Sequence, residues 1–214
     1  MTRGGLPRYS IQELERRAAE ALATHLEGPL VVPVDVDLLA ERLPGVELDL
    51  SPGILERFGL PGVVFRRAPG AYTIRIDMEV AEHRLHFYRF TLAEEVGHIL
   101  LHGGIIDRMT STEEAARLVN EPGYEDLDRN ARWFASALLM PPAELARDAR
   151  TIYADLVRTR GFADPEGVKR DLLKALSRRY QVPPAAMRYR LMHWPIKIVD
   201  ALAKALRERS DGLE

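Results

Sequence analysis

The chain has 214 residues, 46% hydrophobic and 29% charged, with 30 Lys and Arg against 32 Asp and Glu. This describes a globular protein long enough to bury a sizeable core, and the net charge of -2 argues against a global electrostatic drive toward nucleic acid or an anionic membrane. With no cysteine, disulfides, cysteine-type zinc sites and thiol catalysis are excluded, so any metal must be held by His, Asp or Glu.

The opening residues MTRGGLPRYS contain no apolar run of signal-peptide type, and no stretch approaches the ~18 apolar residues of a membrane span. A cytoplasmic location is expected. From Ile11 to about Glu27, the apolar positions Leu14, Ala18, Ala21, Leu22 and Leu26 follow a helical period behind Ser10, a natural N-cap. Pro33-Val34-Asp35 leads into a short helix, Val36 to Leu43, stopped by Pro44-Gly45. Val46 to Leu50 alternates like a strand, and Gly62 to Arg67 with Ala71 to Asp77 form a hairpin around Ala68-Pro69-Gly70. A turn or short helix with His83 and His86 precedes an apolar helix from about Phe90 to His102, which Gly103-Gly104 should end. Helices follow at about 112–120, 126–140, 142–159 and 165–180, and 183–209 is helical with a break near Pro195. Helices, a small sheet, then helices predict an α+β fold that is mostly helical, with the sheet beside the apolar helix and a helical C-terminal region. The expectation is a single domain over 1–214, with its core in 72–142 and the helical region in 143–214.

The apolar helix carries Glu94-Glu95-Val96-Gly97-His98, one residue away from the zinc-peptidase signature H-E-x-x-H. In that signature two histidines four apart grip zinc on one helix face, and the glutamate between them activates a metal-bound water. Here Glu94 stands in place of the first histidine. Glu94, His98 and His102 lie at i, i+4 and i+8, each step advancing about 40°, so they share one broad face. Glu95 lies about 100° from Glu94 at the edge of that face, where a general base sits. Glu followed by His at i+4 is also an ordinary helix surface pair.

Two segments together carry a resemblance. The first comprises Arg89-Phe90-Thr91, Ala93, Glu95, Gly97-His98 and Leu101-His102. The second lies in the run from Asp128 and comprises Ala131, Phe134-Ala135 and Leu138-Leu139-Met140-Pro141. In this order and spacing they resemble the ImmA/IrrE family of zinc-dependent metallopeptidases. Ile74-Arg75-Ile76-Asp77 is similar to the strand before that family's motif helix, and Leu172 to Leu191 to its late helical region. The resemblance implies a zincin-like peptidase domain with Glu95 as catalytic glutamate. It implies metal ligands at Glu94, His98 and Asp128, with His102 as a substitute ligand. It also implies a protein partner, a helix-turn-helix repressor cleaved in response to stress, and hence a role in transcription regulation.

Three positions depart from the family pattern. Glu94 replaces a histidine, Asp128 replaces a glutamate, and Arg132 replaces an asparagine. Asp128 is one methylene short, so its oxygens fall back by ~1.5 Å. Exchanging nitrogen for oxygen moves preference from zinc toward harder ions such as manganese. The expected cofactor is therefore zinc, with manganese or another divalent ion, or no metal, as alternatives. Two functions remain open: a metal-dependent endopeptidase acting on a regulatory protein, and a catalytically inactive pseudo-peptidase that binds its partner. In the second, Glu94, Glu95, His98 and Asp128 would form a polar hydrogen-bonded cluster.

Leu173 to Leu191 can also be read as a helix-turn-helix offering Arg188 and Arg190 to DNA. A packed helical hairpin is preferred, and no direct nucleic-acid or membrane binding is expected. Tyr124, between the two motifs, is a candidate donor to an oxyanion.

Overall fold

A computed structural model describes residues 7–160, 164–198 and 204. Two compact units divide the chain, Met1–Leu139 and Met140–Glu214.

In the first unit, α1 (Ile11–His25) starts where Ser10 accepts the Glu13 N–H, and α2 (Val36–Arg42) starts where Asp35 accepts the Leu38 N–H. Each cap satisfies one of the N–H groups that a helix start leaves without a partner. Then come β1 (Val46–Ser51), α3 (Ile54–Phe58), β2 (Gly62–Ala68) and β3 (Ala71–Asp77). The sheet order is β1-β3-β2, with β1 parallel and β2 antiparallel to β3. On β1, Glu47 pairs with Arg67 at 3.2 Å and Asp49 with Arg75 at 2.6 Å.

Asp77 closes β3 and opens α4 (Met78–His83). Its carboxylate accepts the N–H of Glu79 at 2.9 Å and of Leu55, in α3, at 3.0 Å. Burial pushes the Asp77 carboxyl up, but the N–H donors of Leu55, Glu79, Ile54 and Val80 outweigh that and hold it below its ordinary value. The short helix α3 was not expected from the sequence, because its anchor lies twenty-two residues away on β3.

The motif helix α5 runs Leu85–Ile106, longer than expected at both ends. Gly103-Gly104 does not end it. His102 takes a non-helical conformation (φ -126, ψ 19), and the helix resumes for one more turn. That turn is held by buried Ile106 and by Asp107, which accepts the Tyr72 hydroxyl at 3.1 Å. Beyond it the Met109 carbonyl accepts the Arg66 N–H on β2 at 2.8 Å. At its other end α5 is tied to the α2 region. Tyr88 donates to Asp37 and buried Arg89 donates to the Val34 carbonyl, both at 2.5 Å.

Next are α6 (Thr112–Val119) and α7 (Tyr124–Leu139), the second of which packs along α5. Two glycines permit the close approaches that position α5. A Cβ on Gly62 would fall 2.6 Å from the Thr91 methyl, and one on Gly97 would fall 3.0 Å from the Phe134 ring and 3.3 Å from the Ala131 carbonyl. So β2 meets one side of the motif helix and α7 meets another at van der Waals distance.

In the second unit, α8 (Pro142–Arg160), α9 (Pro165–Tyr180) and α10 (Pro184–Met192) enclose Leu145, Ala149, Val168, Leu172, Leu176, Val182, Met187 and Leu191. Asp164 caps α9 through the Gly167 N–H, and Gln181 ends it in the left-handed conformation (φ 51, ψ 50). Buried Asp148 accepts from Arg179 at 2.5 Å and from the Tyr180 hydroxyl at 2.9 Å. Arg190, only 1% exposed, donates from Nε and a terminal nitrogen to the Met140 carbonyl. The helical expectation for residues beyond 198 lies outside the described residues, apart from residue 204.

A branched side chain at Gly97 should force α5 and α7 apart. Gly97→Val is expected to lower stability by ~1–3 kcal/mol, read as a lower urea midpoint with an unchanged slope.

Candidate functional site

Helix α5 presents Glu94, Glu95, His98 and His102, and α7 presents Asp128 and Arg132. Glu95, His98 and His102 are buried, at 8%, 3% and 2% exposure, while the Arg132 guanidinium reaches solvent. The side chains sort into two groups rather than one cluster.

The first group is an ion-pair bridge. Arg132 Nε lies 3.2 Å from Glu94 Oε1, and a terminal nitrogen of the same guanidinium makes a close pair with Asp128 Oδ2. Two of the three expected metal ligands thus share one cation supplied by the chain itself. Asp128 and Arg132 are i and i+4 on α7, a spacing that brings them together on any helix. Glu94 joins them from the facing helix.

The second group is a histidine pair. His98 Nδ1 lies 3.2 Å from His102 Nδ1, so one of these nitrogens donates and the other accepts. The Tyr124 ring stacks on His98, with centroids 5.8 Å apart and planes 21° from parallel. Tyr9 approaches His102 from the other side at 6.2 Å and donates its hydroxyl to the Leu101 carbonyl. The other nitrogen of His102, Nε2, is buried and has no hydrogen-bond partner. His98 Nε2 faces Asp128 Oδ1 at 3.9 Å, beyond hydrogen-bond range.

Glu95 belongs to neither group. Its carboxyl receives the backbone N–H of Val64 on β2. Burial, with the Glu94 carboxylate beside it, pushes Glu95 up to about 8, so near neutrality it is mostly a neutral acid. Glu94 is pushed up to about 7 by burial, against the pull of Arg132. Burial lowers His98 to about 4, with Arg132 adding to the effect, and lowers His102 to about 3, with His98 adding to it. Both imidazoles are therefore neutral at physiological pH. Burial and the Glu95 and Glu94 carboxylates push the Tyr124 phenol well above its ordinary value.

Of the residues singled out from the sequence, the fold brings Glu94 and Asp128 to Arg132, and His98 to His102. The expected single cluster of Glu94, Glu95, His98 and Asp128 does not form, because Glu95 turns to β2 and Arg132 claims the other two carboxylates. Among the described residues, no group of three His, Asp or Glu side chains gathers to hold a metal ion. His83 is exposed and lies 3.9 Å from Glu82. Reading the sequence identified Arg132 only as a lost asparagine. The signal available was the Asp128–Arg132 spacing, which announces one half of the bridge but not the half made with Glu94.

The sequence profile described as the IrrE N-terminal-like domain, peptidase M78, matches residues 54–192. No curated protein gives a significant match. Among solved structures, a Mycobacterium tuberculosis transcriptional regulator is similar with a TM-score of 0.52 and 19% identity, over 86% of this chain and 47% of that one. Identity at that level speaks to the fold, and this chain spans about half the length of that regulator.

A folded-state pKa raised above the ordinary value of 4.5 means that Glu95 supports the fold as a neutral acid. That support is complete below 4.5 and is lost as the pH rises through about 8. Glu95→Gln mimics the neutral acid. It should leave stability unchanged at about pH 4 and raise it at about pH 9, by roughly 1–3 kcal/mol, measured as the difference in urea midpoints.

Proposed function

We infer, since this chain belongs to the IrrE N-terminal-like domain family of peptidase M78, that it is a regulatory member acting by binding a protein partner rather than by cutting it. The family makes a metallopeptidase-like or regulatory role the frame. The observation that carries the choice within that frame is Arg132 bridging Glu94 and Asp128.

A divalent cation at this position would need carboxylates free to turn toward it. Both are already engaged by one guanidinium, and a dication beside that guanidinium would be repelled. His98, the one histidine left at the motif's own ligand positions, is engaged through Nδ1 with His102, the second imidazole present. With its two carboxylates held by Arg132, the residue set does not fit a zinc centre. Glu95 takes the backbone N–H of Val64 on β2, a contact that holds it to the sheet. What the site retains is a preorganised polar surface. Arg132 is exposed at its rim, and half-buried Tyr124 stacks over His98.

The partner class this reading favours is a helix-turn-helix repressor, on the strength of the family resemblance. The resemblance to a transcriptional regulator is compatible with such a role. No helix among the described residues is long and apolar enough to cross a membrane, and we place the protein in the cytoplasm.

Two measurements test the reading. By calorimetric zinc titration, the natural chain should take up less than one equivalent. The double variant Glu94→His/Arg132→Asn, which restores an imidazole and removes the cation, should bind zinc at least about tenfold more tightly. With a candidate repressor, the natural chain and Glu95→Gln should both bind it and leave it intact. Stoichiometric tight zinc in the natural chain, together with repressor cleavage that Glu95→Gln abolishes, would establish the peptidase instead.

A further inference from the structure

The net charge of -2 is the sum of two unlike halves. Met1–Leu139 holds 15 Lys and Arg against 22 Asp and Glu, a balance of -7, whereas Met140–Glu214 holds 15 against 10, a balance of +5. Charge asymmetry of this kind within one chain points to a polyanionic partner for the basic part.

The basic excess is organised. On α9, Arg170, Lys174 and Arg178 are exposed and follow one another at i, i+4 and i+8. Steps of four keep side chains on one stripe, here extending over ~12 Å of helix. The other side of α9 is core, with Val168, Leu172 and Leu176 buried. Neighbouring cations of the unit are partnered: Arg158 with Asp155, Lys169 with Glu166, and Arg147 and Arg179 with Asp148. The three cations of the stripe have no carboxylate within ion-pairing distance among the described residues. A fourth, Arg188, is exposed on α10, which follows α9 across the three-residue connection Gln181-Val182-Pro183.

We propose that the stripe Arg170–Lys174–Arg178, with Arg188, binds the phosphate backbone of double-stranded DNA. Three arguments favour a nucleic acid over an acidic protein. Along α9 the three cations form a line with no exposed large apolar side chain among them, the exposed Tyr189, Met192 and Trp194 lying on and after α10, whereas a protein interface is organised around an apolar centre. Successive members are ~6 Å apart along the helix, a regular array suited to a polymer of regularly spaced charge. And two helices joined by a three-residue turn, the second bearing exposed Arg188, have the connection of a helix-turn-helix, a motif whose helices divide backbone and groove contacts. Arg190 takes no part, because it is locked inside the unit on the Met140 carbonyl. The contacts argued are all to phosphate, so the binding is sequence-independent. This inference stands apart from the reading of the Arg132 site, and either can fail alone.

The test uses the full chain and a short fluorescein-labelled DNA duplex of mixed sequence, followed by fluorescence anisotropy from about 50 to 300 mM NaCl. The natural chain should bind with an affinity that falls steeply with salt. The triple variant Arg170→Gln/Lys174→Gln/Arg178→Gln, on exposed positions where Gln is a good helix former, should bind at least about tenfold more weakly at low salt. The slope of log affinity against log salt should shrink by about three. Arg57→Gln, on the acidic unit, should change neither. Far-ultraviolet circular dichroism and the thermal midpoint check that the triple variant is folded. Absence of binding at the lowest salt overturns the proposal, as does a folded triple variant that binds like the natural chain. Loss of self-association in the triple variant by sedimentation, with DNA binding unchanged, also overturns it and assigns the stripe to the acidic half of a second copy.

Discussion

The close approach of α5 and α7 at Gly97 and Ala131 is the constraint on which the site depends. Glu94 and Asp128 each lie three residues before that contact, and His98 and Arg132 each lie one residue after it. Across the contact the positions cross, so that Glu94 meets Arg132 and His98 faces Asp128. A guanidinium on one reaches a carboxylate on the other without leaving its own helical neighbour. Were Gly97 larger, the helices would stand farther apart and Arg132 would serve Asp128 alone. The glycine of the motif is thus a packing residue whose effect is electrostatic.

Much of the local structure was legible in the sequence because local rules decide it. Ser10 and Asp35 cap the helices they precede, and the hairpin around Ala68-Pro69-Gly70 joins the strands it should. The illegible parts depend on distant partners. The helix α3 rests on Asp77, and α5 continues past Gly103-Gly104 because Ile106 and Asp107 find partners in the fold. At the site, three substitutions in one motif marked where chemistry had changed. What replaced it could not be read, since Glu94 and Arg132 are thirty-eight positions apart and become neighbours only when the helices pack.

The same limit applies to arginines that look alike in a sequence. Arg188 and Arg190 stand two positions apart on α10, yet one is exposed and the other is 1% exposed and bound to a carbonyl. Composition counts them equally. A whole-chain charge near zero likewise hides an acidic unit and a basic one, so an argument from the total speaks for neither.

The outer strand β1 carries a last consequence. It pairs with β3 on one side, and no strand among the described residues pairs with its other edge. An open edge of alternating apolar residues, here Val46, Leu48 and Leu50, invites another chain to extend the sheet. Two features oppose that. The strand is six residues long, and Glu47 and Asp49 carry charge on alternate positions. A second copy laid alongside in register would bring like carboxylates opposite each other, a cost for every pair formed. Glu47 and Asp49 thus do more than pin the strand to Arg67 and Arg75: two carboxylates on so short an edge make it a poor template for a second copy.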